Sequence, residues 1–142
     1  MKDLNNLIEI KYYEGEGYQP LVDFENWRVA ILKYIDELLP ENIDFMECHN
    51  ETDEVFILIN GRCILFLSDV EDGKIINIHP VNMESGKFYN IKKKVFHTHT
   101  LSEDAEVVVV ENQNTSSINS QKIFLSRDEV LELENLTKKI WS

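Results

Sequence analysis

The chain has 142 residues, of which 43% are hydrophobic and 28% are charged, and it carries a formal net charge of −12. A chain this acidic repels phosphate groups, which argues against nucleic acid and anionic membrane surfaces as partners. The N-terminus lacks the pattern of a secretory signal, no apolar run approaches the ~20 residues that span a bilayer, and the two cysteines have no CxxC spacing, so we expect a cytoplasmic protein with reduced thiols.

The N-terminal part of the chain is predicted to form one strand and one helix, which together cover residues 7–39. Residues 7–13, LIEIKYY, have the pattern of a short strand, and the turn-rich segment EGEGYQP follows them. Asp23 is a suitable N-cap for the helix, because apolar residues recur after it at helical spacing until Pro40 ends the pattern. The apolar stripe predicts that this helix packs on a sheet.

From Ile43 the hydrophobic period changes to two, which predicts strands. Seven apolar or alternating segments follow one another along the chain: 43–49, 54–60, 62–70, 74–81, 87–91, 95–101 and 105–112. Asn60-Gly61 is a tight hairpin signal between two of these segments. A series of short strands separated by turn residues is typical of a β-sandwich or barrel.

The end of the chain is predicted to be helical. Ser126 and Glu129 form the S-x-x-E pattern of a capping box, and an apolar stripe follows, so we expect a helix over about 127–140. No internal repeat or long linker divides the sequence. We therefore predict that residues 1–142 form a single domain, with a barrel core at about 43–112 and the other elements packed outside it.

Four polar residues of the strand series are candidates for a functional site. Period two places Glu47 and His49 on one face of one strand, and His97 and His99 on one face of another. If this face points into a barrel, the four side chains converge in a pocket with apolar walls. Imidazole and carboxylate groups suit iron, manganese, nickel, zinc or copper, and their spacing does not choose among these metals.

The spacing of these residues resembles the two sequence motifs of the cupin superfamily. The first motif is His-x-His, three or four residues, Glu, six residues, Gly, and His49, Glu54 and Gly61 match its later part. The second is Gly, five residues, Pro-x-Gly, two residues, His, three residues, Asn, and Gly86 and His97 stand at the matching spacing. The two motifs occur in the expected order.

Some positions depart from these motifs. Glu47 stands where the first motif has its first His, and Glu41 stands where it has a leading Gly. In the second motif, Lys92 and Lys94 replace the Pro and Gly, and Leu101 replaces the final Asn. Glycine favours the tight turn of the second motif, and its replacement by Lys94 is unfavourable for that turn geometry.

The resemblance implies a mainly β protein, a double-stranded β-helix or jelly-roll barrel with flanking N- and C-terminal helices. Carried over position by position, it implies that His49, Glu54, His97 and, at the altered position, Glu47 bind a divalent ion of iron, manganese, nickel or zinc. Glu47 or His99 is the candidate group for proton transfer. The metal can also be absent, because cupins include proteins that use the barrel as a plain ligand pocket.

Three functions are compatible with this site. The first is a metal-dependent enzyme, such as an isomerase, lyase, decarboxylase or dioxygenase, that acts on a polar, oxygen-rich small molecule. The second is a non-catalytic cupin that binds or senses a metabolite or a metal, and the third is a metal-free cupin that uses a His–carboxylate pair. We also expect a homodimer, because Val55, Ile57 and Ile59 give the strand that carries Glu54 a second apolar face.

Overall fold

The computed structural model describes Met1 and residues 3–142. The described residues form ten strands: β1 Tyr18–Phe24, β2 Trp27–Lys33, β3 Phe45–His49, β4 Glu54–Asn60, β5 Cys63–Glu71, β6 Lys74–Asn82, β7 Phe88–Ile91, β8 His97–Leu101, β9 Glu106–Asn112 and β10 Ser120–Phe124. One α-helix, α1, covers Arg127–Trp141, and short 3-10 turns lie at Leu4–Asn6, Asp36–Leu38, Pro40–Asn42 and Ser117–Asn119.

The strands form two antiparallel sheets of five. The first sheet has the order β1-β2-β9-β4-β7, and the second has the order β10-β3-β8-β5-β6. Strands that follow one another in sequence are therefore often in different sheets, as they are in a jelly-roll barrel. The prediction of a mainly β jelly-roll fold is confirmed.

The interior between the sheets is filled by the inward residues of alternating strands. Along β9, for example, Val107 and Val109 are buried, and their neighbours in the strand are half-buried. A second apolar cluster lies where α1 packs on the other sheet, through Leu133 against Phe66 and its neighbours. The predicted capping box of α1 is present, since the Ser126 hydroxyl accepts the Glu129 N–H and the Glu129 carboxylate accepts the Ser126 N–H.

The predicted hairpin at Asn60-Gly61 is wrong, although the turn itself is tight. It joins β4 in the first sheet to β5 in the second, so these two strands do not pair. Gly61 has φ +72°, and a Cβ on it would lie 2.6 Å from the Cα of Ala105. The glycine thus permits a close approach of two backbones, as well as a left-handed conformation, where the chain changes sheets.

The predicted N-terminal strand and helix are also wrong. Residues 8–14 belong to no strand or helix and are mostly exposed. The segment predicted as a helix after Asp23 contains the end of β1, all of β2 and the 3-10 turn at Asp36–Leu38. β1 and β2 pair as a hairpin in which Phe24 lies opposite Trp27. Apolar residues occur on both faces of β2, which is why the segment resembled an amphipathic helix. Both edges of β2 are hydrogen-bonded, to β1 and to β9, and this pairing outweighs the helical period.

The polar segment after β9 contains a strand that the sequence did not indicate. β10 pairs with β3, where Ser120 lies opposite His49 and Phe124 opposite Phe45. Among the described residues, no helix is long and apolar enough to cross a membrane.

Candidate metal centre

Three of the predicted ligands lie together inside the barrel. His49 ends β3, Glu54 begins β4 and His97 begins β8, and all three side chains are buried. One donor atom from each lies within 4.8 Å of the others. Both imidazole Nε2 atoms approach the same oxygen, Oε1 of Glu54, at 3.2 Å for His49 and 2.9 Å for His97. The structure therefore brings together the residues that the motif spacing related.

The Nδ1 atom of each imidazole ring has a polar partner outside the group. His97 Nδ1 donates to the carbonyl oxygen of Val95 at 2.9 Å, and His49 Nδ1 lies 2.8 Å from the Ser120 hydroxyl. Because Nδ1 of His97 is fixed as a donor to Val95, Nε2 is the atom that His97 would offer to a metal ion at the centre of the group. Two imidazoles oriented in this way beside one carboxylate are a donor set that suits a divalent transition metal.

The electrostatics of the group favour an ionised Glu54. Burial opposes its ionisation, but hydrogen bonds from His49 and His97 outweigh burial and hold the pKa of the Glu54 carboxyl well below its usual range. Burial likewise lowers the pKa of His49, and the Glu54 carboxylate outweighs it and raises that pKa overall. The centre thus presents a negative charge between two imidazoles.

Glu47 and His99 border this group. Glu47 is half-buried, and its Oε1 lies 3.9 Å from His49 Nε2, so it is near the three donors without joining their cluster. His99 lies against the ring of Phe56, with 5.7 Å between ring centroids, and its buried Nδ1 has no hydrogen-bond partner in the described part of the chain. Burial, together with His97, lowers the pKa of His99 to about 4, so its ring is neutral at pH 7.

A second polar group in the same interior was missed from the sequence. Glu111 of β9 is only 7% exposed and its carboxyl is in contact with that of Glu54, which requires one of the two to hold a proton. Burial, followed by Glu54, raises the pKa of Glu111 to about 8. Tyr18 donates its hydroxyl proton to Glu111, and Arg28 Nη1 lies 3.9 Å from the same carboxylate oxygen.

One signal for Glu111 was present in the sequence. It continues the inward alternation of Val107 and Val109 by two residues, so its side chain had to face the interior. Tyr18 and Arg28 offered no such signal, because their strands were interpreted as a loop and a helix.

Both polar groups line one cavity of about 500 Å³. Its apolar wall includes Leu32, Phe45 and Phe56, and its hydroxyl groups come from Thr98 of β8 and from the segment before β10. This volume is in the range that holds small-molecule ligands. The acidic residues of the lining are Glu37, Asp44, Glu47, Glu54 and Glu111.

Comparison with known proteins places the fold. No protein-family model matches the sequence, and no curated protein matches it. Among solved structures, the chain is similar to a cupin-2 domain protein of Shewanella frigidimarina, with 17% identity and a TM-score of 0.50 over 79% of this chain and 94% of that chain. KdgF of a Halomonas species has 10% identity and a TM-score of 0.50 over 71% and 81% of the two chains.

Another similar structure is Pac13 of Streptomyces in complex with uridine, with 10% identity and a TM-score of 0.55 over 86% of this chain and 97% of that chain. Pac13 is described as a nucleoside dehydratase. Two antiparallel five-stranded sheets form a barrel of the same kind in this chain. The chain therefore has the fold of the cupin superfamily, which confirms what the motif spacing predicted.

Proposed function

We propose that the protein is a metal-dependent cupin enzyme that acts on a polar, oxygen-rich small molecule. In this proposal His49, Glu54 and His97 bind a divalent ion of iron, manganese, nickel or zinc, and Glu47 completes or borders the set. The observation that carries it is the convergence of two imidazole Nε2 atoms on one buried carboxylate oxygen. Two histidines and one carboxylate leave coordination positions free for a substrate.

The residues around the centre have distinct roles in this proposal. The bound ion would supply Lewis-acid polarisation of a carbonyl or carboxylate oxygen. Glu47 faces the cavity and is the group we assign to proton transfer at its carboxylate. His99 is neutral at pH 7 and lines the same cavity, and we assign its ring to contact with the substrate. Phe45 and Phe56 give the cavity part of its apolar wall.

The size of the cavity supports a metabolite as ligand. A volume of about 500 Å³ accommodates a molecule of nucleoside or sugar size. Pac13 binds uridine in a barrel of the same fold, and it acts as a dehydratase. An isomerase, lyase, decarboxylase or dioxygenase reaction is compatible with the residues present, and we propose a cytoplasmic location.

The first experiment is elemental analysis of the purified protein and of His97→Ala. We expect the substitution to remove most of the bound metal and to leave the circular dichroism spectrum unchanged, because the strands do not depend on that side chain. His79→Ala is the matched control, since His79 is exposed on β6 and its ring pairs with Asp69. Full metal content in His97→Ala would refute the ligand assignment.

A metal-free cupin is the second candidate, and one observation favours it. The Nε2 atoms of His97 and His49 lie 2.9 and 3.2 Å from Glu54 Oε1, so both imidazoles already have a carboxylate partner without an ion. Wild-type protein that holds no iron, manganese, nickel or zinc after each has been supplied would establish this alternative. Turnover of sugar derivatives or oxo-acids then separates an enzyme from a binding protein.

We further propose that the protein is a homodimer that packs through the outer face of the first sheet. Val110 pairs with Val55, and Ile57 lies between Val108 and Phe88, so apolar residues form rows across three strands. Ile59 is 53% exposed and Phe88 is 75% exposed. The helix α1 packs at Pro40–Asn42 and leaves this face uncovered. An apolar sheet face of this kind is typical of a protein–protein interface.

Light scattering tests the dimer. We expect a dimer at micromolar concentration and a monomer for Ile57→Lys, which places a charge in the centre of the face. Ile76→Lys is the control, because Ile76 is an exposed isoleucine on β6 of the other sheet. A monomeric wild-type protein would refute the proposed interface.

A further inference from the structure

The turn between β7 and β8 has an unusual composition for the place it occupies. Lys92, Lys93 and Lys94 stand where the cupin motif has Pro-x-Gly, directly before the strand that carries His97. Lys94 nevertheless has φ +69°, the left-handed conformation that glycine adopts most readily. The shape of the turn is therefore retained without its usual residues, and other contacts must hold it.

Asp53 supplies those contacts. Its Oδ1 accepts the backbone N–H of Lys93 at 2.9 Å, and its Oδ2 accepts the side-chain N–H of Asn90 at 3.0 Å. The ammonium group of Lys92 lies 3.6 Å from Oδ2. The Asp53 carboxylate thus binds the end of β7 and the first half of the turn. Asp53 is also the residue immediately before Glu54 in the chain.

The same turn contacts both histidines of the candidate centre. The Lys94 N–H donates to the carbonyl oxygen of His49 at 2.8 Å, and the Val95 N–H donates to the carbonyl oxygen of Lys92 at 3.2 Å. The Val95 carbonyl oxygen in turn accepts Nδ1–H of His97. A displacement of the turn would therefore rotate the His97 ring and would shift it relative to His49.

We propose that Asp53 is a positioning residue of the metal centre. It fixes the turn at residues 92–95, so that the Val95 carbonyl holds His97 with Nε2 directed at Glu54. The inference rests on the proposed function for the metal, whereas the orientation of the ring is a property of the protein alone. Groups that orient a ligand through a hydrogen bond change metal affinity by about 10- to 100-fold when they are removed.

The test compares Asp53→Ala with Asp53→Asn. Asparagine keeps an oxygen that can accept the Lys93 N–H, and alanine removes it. Asp69→Ala is the matched control, because Asp69 is also an exposed aspartate that accepts an asparagine side chain, and its carboxylate binds Asn77 and His79 of β6. Affinity for Mn²⁺ and Zn²⁺ is measured by competition with a chelator. We expect about a tenfold loss for Asp53→Ala, a smaller loss for Asp53→Asn and no change for Asp69→Ala.

A second readout reports the ring directly. In the metal-free wild-type protein, the Nδ1–H proton of His97 should be visible by NMR because it is hydrogen-bonded, and it should be lost in Asp53→Ala and retained in Asp53→Asn. A purely structural role would lower the melting temperature and leave this signal and the metal affinity unchanged, which would overturn the proposal. If Asp53→Ala does not fold, Asp53→Ser, with a shorter acceptor, replaces it in both measurements.

The outcomes for the metal and for Asp53 are distinguishable. Wild-type protein that binds neither ion would refute a manganese or zinc centre, and the NMR signal would still decide whether Asp53 orients His97. Metal affinity in Asp53→Ala equal to that of the wild type would overturn the role of Asp53 and leave the metal centre in place.

Discussion

Glu111 should make the metal-free protein less stable as the pH rises from 6.5 to 8. Its carboxyl is buried against Glu54, and burial with Glu54 raises its pKa from the usual 4.5 to about 8. At pH 7 the folded protein therefore holds a proton on this group, and the unfolded chain does not. We expect the free energy of unfolding to fall through this window, and Glu111→Gln to remove most of that dependence.

The sign and size follow from proton linkage. Where the folded state binds one more proton than the unfolded state, stability falls by up to about 1.4 kcal/mol per pH unit. The raised pKa of His49 acts in the same direction, and the lowered pKa of His99 acts in the opposite direction, mainly below about pH 6.5 and weakly above it. Since Glu111 loses its proton gradually towards pH 8, we expect a total fall of about 1–2 kcal/mol.

The assay is urea unfolding of chelator-treated protein at pH 6.5, 7, 7.5 and 8. Glutamine is neutral at every pH and has nearly the same shape, so Glu111→Gln should show a clearly smaller slope. Glu134→Gln is the control, because Glu134 is an exposed glutamate on α1. A wild-type stability that does not change between pH 6.5 and 8, or an unchanged slope in Glu111→Gln, would refute this assignment of the proton.

Three further predictions concern the backbone and the thiols. Lys94→Gly should raise the free energy of unfolding by about 0.5–1 kcal/mol, because φ +69° costs glycine little; a loss of stability in urea unfolding would contradict this. Gly61→Ala should lower the free energy of unfolding by at least about 2 kcal/mol, because the new Cβ would lie 2.6 Å from the Ala105 Cα. An unchanged melting curve would show that the two backbone segments can move apart there. Burial raises the pKa of Cys63 to about 12 and also raises that of Cys48, so neither thiol should react with a disulfide reagent at pH 8 until urea unfolds the protein.

The elements that could be predicted from the sequence are those indicated by hydrophobic alternation and turn residues within a few positions of one another. β9 alternates between buried and half-buried residues throughout, and β4 does so from Glu54 to Leu58. The Asp72-Gly73 turn gives a hairpin with positive φ at both positions. The N-terminal hairpin had no such pattern. In β2, Val29 faces outward and Ala30 and Leu32 face the core, so apolar residues follow one another as they also do in an amphipathic helix. Pairing with β9, about 80 residues further along the chain, decides between the two structures, and a local period carries no information about it.

The residues of the candidate site also divide into those that motif spacing relates and those that only strand pairing brings together. His49, Glu54 and His97 could be related from the sequence because their spacing follows a motif. Glu111 could not be assigned a role, because its partners depend on strand pairing: Arg28 lies opposite it on β2, and Tyr18 reaches it across 93 residues of sequence.

This second group changes the chemistry of the interior. A carboxyl that holds a proton beside Glu54 lets two glutamates lie in contact without a net repulsion. An ion bound at Glu54 would favour the ionised form of Glu111 and would release that proton. Metal uptake should therefore release protons at pH 7 in the wild-type protein and fewer in Glu111→Gln, which titration in two buffers of different ionisation enthalpy measures. Equal proton release in both proteins would show that Glu111 is not linked to the metal centre.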